Sequence, residues 1–137
     1  MIKGINHIGI AVTELEPAIE TFRKIFQFDS VHREIVEDQK IEVASFKVGD
    51  VLIELTFPTS PESPIAKFIE KNGGKGGLHH LAFESDNVTE ELKRIESEGI
   101  QLIDKSPRLG AHEMMIAFMH PKSTLSVLTE LCEAPKE

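Results

Sequence analysis

Four side chains in this sequence could share one piece of chemistry: His7, Glu54, His80 and Glu130. Each lies in an apolar stretch that reads as a buried strand. The histidines sit in His7-Ile8-Gly9-Ile10-Ala11-Val12 and Gly77-Leu78-His79-His80-Leu81-Ala82-Phe83, the glutamates in Val51-Leu52-Ile53-Glu54-Leu55 and Val127-Leu128-Thr129-Glu130-Leu131. Taken singly, a strand histidine is ordinarily a hydrogen-bonded core residue, and a strand glutamate an edge residue. As a set they are one histidine and one glutamate given twice, and a twofold relation between two copies of one module would gather all four. Two buried carboxylates at close quarters cost on the order of several kcal/mol each unless protonated or compensated, and a divalent cation removes the conflict. Two neutral imidazoles and two carboxylates suit cobalt, nickel, zinc, manganese or iron, and six-coordination would leave two positions open for water or substrate. A site with open positions can be catalytic.

The elements that must position these residues also come twice. After the first strand, Thr13-Glu14-Leu15-Glu16 reads as a capping box and Pro17 suits a first turn, so a helix is expected to about Phe26. Its apolar positions Leu15, Ile19, Phe22, Ile25 and Phe26 form one stripe. Strands are expected near 29–36, 40–48 and 51–57, with Pro58 as the stop. A Pro-, Ser- and Gly-rich linker with one short helix, capped by Ser63 and opened by Pro64, leads to the second copy. There the order is a strand at 78–84, a helix at 88–98, and strands at 100–103, 114–120 and 126–131. The closing strands share four of five residues, and 73 residues separate His7 from His80 while 76 separate Glu54 from Glu130. The fold class expected is α+β, two paired βαβββ modules forming a curved sheet around a metal site. The modules are placed at 1–58 and 77–133, with a linker at 59–76 and a polar tail at 134–137, in one compact domain.

Alternation selects His80 over its neighbour, because His80 with Ala82 repeats the spacing of His7 with Gly9, which leaves His79 to packing or an outer shell. His32, His112 and His120 are assigned to the surface or to substrate contact. Glu42 shares a strand face with Ala44 and Phe46. If that face is the one toward the cavity, its carboxylate is placed to act as a general base. No acid occupies the matching place in the second module, near 115–118.

Composition narrows the function classes. The 137 residues carry a net charge of −8 and no basic block, which argues against nucleic-acid binding. No apolar run approaches the roughly 20 residues of a membrane span, and the first residues do not read as a signal peptide, so a cytoplasmic protein is expected. The one cysteine, Cys132, lies in an apolar run and reads as a small buried hydrophobe.

The repeated pattern resembles the vicinal-oxygen-chelate superfamily and, over nearly the whole chain, its methylmalonyl-CoA epimerases. The likeness rests on Asn6 to Val12, Ser63-Pro64-Ile65-Ala66-Lys67-Phe68, Gly77 to Phe83, Leu109-Gly110-Ala111-His112, His120-Pro121-Lys122-Ser123 and Val127 to Leu131. The resemblance implies a racemase/epimerase that interconverts (R)- and (S)-methylmalonyl-CoA by proton abstraction and return through a metal-stabilised enolate. It implies a divalent metal, cobalt ahead of nickel, zinc, manganese or iron, held by His7, Glu54, His80 and Glu130. Glu42 falls on the family's catalytic glutamate, and Glu130 is the candidate for the second acid. The partner expected is a small acyl-CoA substrate, with Lys71, Lys75, Arg108 and Lys122 as cations near it, and the assembly expected is a homodimer. The chain departs from the family at Glu113 and at Leu125-Ser126, where glycines are usual. The alternatives are a glyoxalase I-type lactoylglutathione lyase, which has the same ligand set, and a ligand-binding member without catalysis.

Overall fold

A computed structural model describes residues 1–136, so of the expected 134–137 tail Glu137 lies outside the described residues. The elements are β1 (Ile2–Ala11), α1 (Leu15–Phe26), β2 (His32–Val36), β3 (Ile41–Val48), β4 (Val51–Pro58), α2 (Pro64–Lys71), β5 (Gly77–Ser85), α3 (Val88–Ser97), β6 (Arg108–Leu109), β7 (Met115–Met119) and β8 (Thr129–Glu133). That is βαβββ twice, with α2 between, and the class is α+β as expected.

The chain divides into two compact units, one from His7 to His79 and one made of Met1–Asn6 together with the chain from His80 onward. In the first, the strands run β2-β3-β4-β1. β1 is parallel to β4, and the other neighbours are antiparallel. In the second they run β5-β8-β7-β6, with β5 parallel to β8. The opening residues of β1 are tied to the second unit: Asn6 Nδ2 donates to Glu84 Oε1 at 3.0 Å and Lys3 Nζ lies 3.5 Å from Glu84 Oε2.

In each unit a helix packs against the strands. In the first unit, Ala44, Phe46 and Leu55 meet Val12, Leu15 and Ile19, and Phe28 stacks on Phe46 with ring centroids 4.2 Å apart. The expected capping box does not form. The helix begins at Leu15 with Glu14 as its cap and no side-chain bond, because Thr13 lies one residue outside it. In the second unit, Val88, Leu92 and Ile95 of α3 cover Leu102, Ala117, Met119 and Leu131, and Asn87 caps the helix by accepting from Glu90 N–H at 3.1 Å. The short helix α2 starts as its sequence indicates, with Ser63 Oγ accepting from Ile65 N–H and Pro64 in the first position.

One strand falls elsewhere than expected. Residues 100–103 supply only a single bridge, Leu102 to Met119, and the outer strand is β6 at Arg108–Leu109. The amides of Ile103 and Asp104 both reach the Phe118 carbonyl, and Asp104 Oδ2 accepts from Phe118 N–H at 2.9 Å. The chain thus leaves the sheet through a side-chain bond instead of extending a ladder.

Gly76, just before β5, is fixed by a close approach. A Cβ there would collide with the Ala11 carbonyl oxygen, a backbone atom that cannot turn aside. Gly76→Ala is therefore expected to cost about 2–3 kcal/mol, read as a lower urea midpoint. Gly110→Ala, whose nearest obstacles are Ile116 side-chain atoms at 2.8 and 2.9 Å, should cost less because a rotamer change relieves it.

Candidate active site

Both histidine–glutamate pairs are built by one rule. In the first unit Gly9 of β1 pairs with Glu54 of β4, and His7, two residues earlier, therefore points to the same side as Glu54. His7 Nε2 lies 3.5 Å from Glu54 Oε1, with side chains only 5% and 6% exposed. In the second unit Ala82 of β5 pairs with Glu130 of β8. His80 Nε2 lies 3.3 Å from Glu130 Oε1, again deeply buried. The small residue two places after each histidine sits opposite the carboxylate. These separations exceed the roughly 2.7–2.9 Å of a charge-assisted hydrogen bond. They are close to the roughly 3.0–3.4 Å expected between two donors that each stand about 2.1 Å from one ion. Donor types, burial and spacing within each pair therefore fit a divalent cation.

Glu42 is not on that side. The β3–β4 register pairs Ser45 with Glu54, Val43 with Thr56 and Glu42 with Phe57, so Ser45 and Val43 share the Glu54 face. Glu42 points with Ala44 and Phe46 to the face that α1 covers. There Arg33 Nη2 donates to Glu42 Oε2 at 3.1 Å, and Arg33 Nη1 donates to Glu16 of α1. The expectation that Glu42 serves as general base is thus corrected: it belongs to a surface ion cluster on the helix side. Sequence reasoning could have seen this. The two-residue turn Gly49-Asp50 pairs Val48 with Val51, and counting back from it puts Ser45, not Glu42, beside Glu54.

Residues 6–118 match the family model described as the glyoxalase/bleomycin resistance protein/dioxygenase superfamily. The chain belongs to this superfamily. An uncharacterized protein of Bacillus subtilis (strain 168), YqjC, is 42% identical over 129 residues, covering 94% of this chain and 91% of its own. The mitochondrial methylmalonyl-CoA epimerase of Dictyostelium discoideum is 35% identical, covering 96% and 79%. A solved methylmalonyl-CoA epimerase in complex with methylmalonyl-CoA and NH4+ superposes with a TM-score of 0.91 at 33% identity, over 98% of this chain and 96% of that one.

Other residues share the face of the second unit that carries Glu130. In the second unit Phe118 pairs with Glu130, its ring lies edge-on to that of His80 at 5.7 Å, and Ala82, Met114, Ile116, Phe118 and Cys132 form an apolar cluster on this side. Cys132 is fully buried, as its apolar setting implied. Arg108 shares the face through its pairing with Ile116. Asp104 Oδ1 accepts from its Nε at 3.1 Å, and its guanidinium lies 5.6 Å from the Phe118 ring centroid. His79, on the other face of β5, stands edge-on to Phe68 at 5.0 Å, and burial pushes its pKa down to about 4. It is a neutral packing residue at physiological pH. His120 accepts from Lys122 N–H through Nδ1 and caps a short turn.

The three positions where the resemblance led glycine to be expected keep a glycine-like backbone. Glu113, Leu125 and Ser126 have φ of 59°, 58° and 70°, left-handed values that cost a residue with a Cβ about 1 kcal/mol or more. Leu125 is 92% exposed, so no packing repays that cost. Among the described residues no helix is long and apolar enough to cross a membrane.

Proposed function

We propose that the protein is an epimerase that interconverts the (R) and (S) forms of methylmalonyl-CoA, with His7, Glu54, His80 and Glu130 as ligands of one divalent ion, cobalt first among the candidates. The observation that carries the reading is the identical construction of two buried histidine–glutamate pairs in a chain whose relatives include methylmalonyl-CoA epimerases. When bound, the ion supplies positive charge against the oxyanion that develops as the substrate loses its proton.

The remaining work falls to the chain. Gly9 and Ala82 sit opposite the carboxylates, and Phe118, Ile116 and Met114 keep water from one wall. Arg108, held in place by Asp104, offers a cation to an anionic acyl-CoA. Glu130 takes up or returns a proton on one face of the reacting carbon. The protein acts in the cytoplasm and as a homodimer in this reading.

Incubation with methylmalonyl-CoA in deuterated water is the deciding experiment. Deuterium is expected at the carbon between the carboxylate and the thioester, at a rate that rises with added cobalt and falls with chelator. No incorporation, together with turnover of a glutathione hemithioacetal, would replace the epimerase with a glyoxalase-type lyase.

A further inference from the structure

The epimerase reading requires a second acid–base group, and Glu42 points away from the histidine–glutamate pair. The register of β2, β3 and β4 shows what does share that face. His32 pairs with Ser45, which pairs with Glu54, so Glu54, Ser45 and His32 form one row across three strands on one side of the sheet. Glu34 follows two residues later on the same side, paired with Val43, which is fully buried. His32 Nε2 and Glu34 Oε1 are 3.2 Å apart, with side chains 55% and 28% exposed. At about 4.8 Å between strands, the His32 backbone lies on the order of 10 Å from that of Glu54. Glu34 stands two residues farther along β2, about 6.6 Å at ~3.3 Å per residue, so a ligand held in front of Glu54 and the side chains of this face together would have to span a gap of that order.

We propose that Glu34 is the second catalytic acid–base group of this site, oriented by His32, on the face of the first unit that carries His7 and Glu54. The proposal rests on the epimerase reading. Glu34 accepts the proton as the substrate C–H bond breaks, and the electron pair passes into the carbonyl to form an enolate. Glu130 delivers a proton to the opposite face, which completes inversion, so each turnover leaves Glu34 protonated and Glu130 deprotonated until Glu130 regains a proton from solvent. His32, the more exposed of the two, exchanges the Glu34 proton with water and resets the site. No oxidant or co-reactant is needed.

The test compares Glu34→Gln, His32→Gln and Glu42→Gln for deuterium incorporation from each enantiomer, for kcat and KM, and for cobalt binding by calorimetry. Glu34→Gln should bind cobalt as the wild type does and lose about 10²–10⁴-fold in kcat with KM within about twofold. It should still exchange the proton of one enantiomer, with retention, and not that of the other. His32→Gln should lower kcat about tenfold or more with KM and metal affinity unchanged, a split that a merely structural role would not give. Glu42→Gln should stay within about twofold of wild type. Wild-type exchange alongside an unaltered Glu34→Gln overturns this assignment and leaves the epimerase reading intact. Equal loss from both enantiomers also overturns it. Absence of exchange in the wild type overturns the epimerase reading, and this assignment with it.

Discussion

Replacing His80 by alanine is expected to abolish tight binding of one divalent ion per chain and to reduce epimerisation to background, and replacing His7 is expected to do the same. Each histidine is buried against its own glutamate, so an imidazole removed from either strand takes away a donor that a water in its place would replace only weakly. The loss should go well beyond the roughly 10–100-fold that removing an outer-shell partner costs. Titration calorimetry with cobalt or zinc reads both stoichiometry and affinity. The informative outcome is the pairing of results: one ion per wild-type chain, and none in either variant. If His7→Ala kept one tightly bound ion, the two pairs would not be serving the same centre, and the shared-ion reading would have to go.

Removal of the ion should also be visible as instability. A ligand bound at a thousandfold excess over its Kd stabilises by about 4 kcal/mol, and a chain of this size shifts by roughly 2–4 °C per kcal/mol. Chelator is thus expected to lower the melting temperature by about 10 °C, with recovery on adding cobalt. The same treatment of His80→Ala should produce almost no shift. A wild-type melting temperature indifferent to chelator and to added metal would mean that the folded protein does not hold an ion tightly.

Much of this architecture was legible because strand periodicity and repetition carry the same message. The spacing of His7 to Gly9 and His80 to Ala82 identified which side of each strand a glutamate shares, and the register supplied the reason: each small residue faces a glutamate. The helix positions followed from Ser63, Pro64 and the apolar stripes. The orientation of β3 was harder. Its residues are buried on both faces, with Ile41, Val43 and Ser45 on one side and Ala44 and Phe46 on the other, so hydrophobicity alone does not say which side looks toward α1. Only the pairing to β4 does. The outer strand of the second unit was obscured for a different reason. Ile100 to Ile103 has strand-like composition, yet its backbone groups are taken by one bridge and by the Phe118 carbonyl, while the true strand at Arg108–Leu109 is too short to announce itself.

The division of β1 bears on how this molecule can be cut. A genetic split placed in the linker after β4, where the sequence repeat suggests a seam, would strand residues 1–6 on the wrong fragment and deprive Glu84 of its Asn6 and Lys3 partners. The repeated halves are therefore not interchangeable cassettes. A reporter built by fragment complementation would need the opening strand supplied again at the head of the later piece.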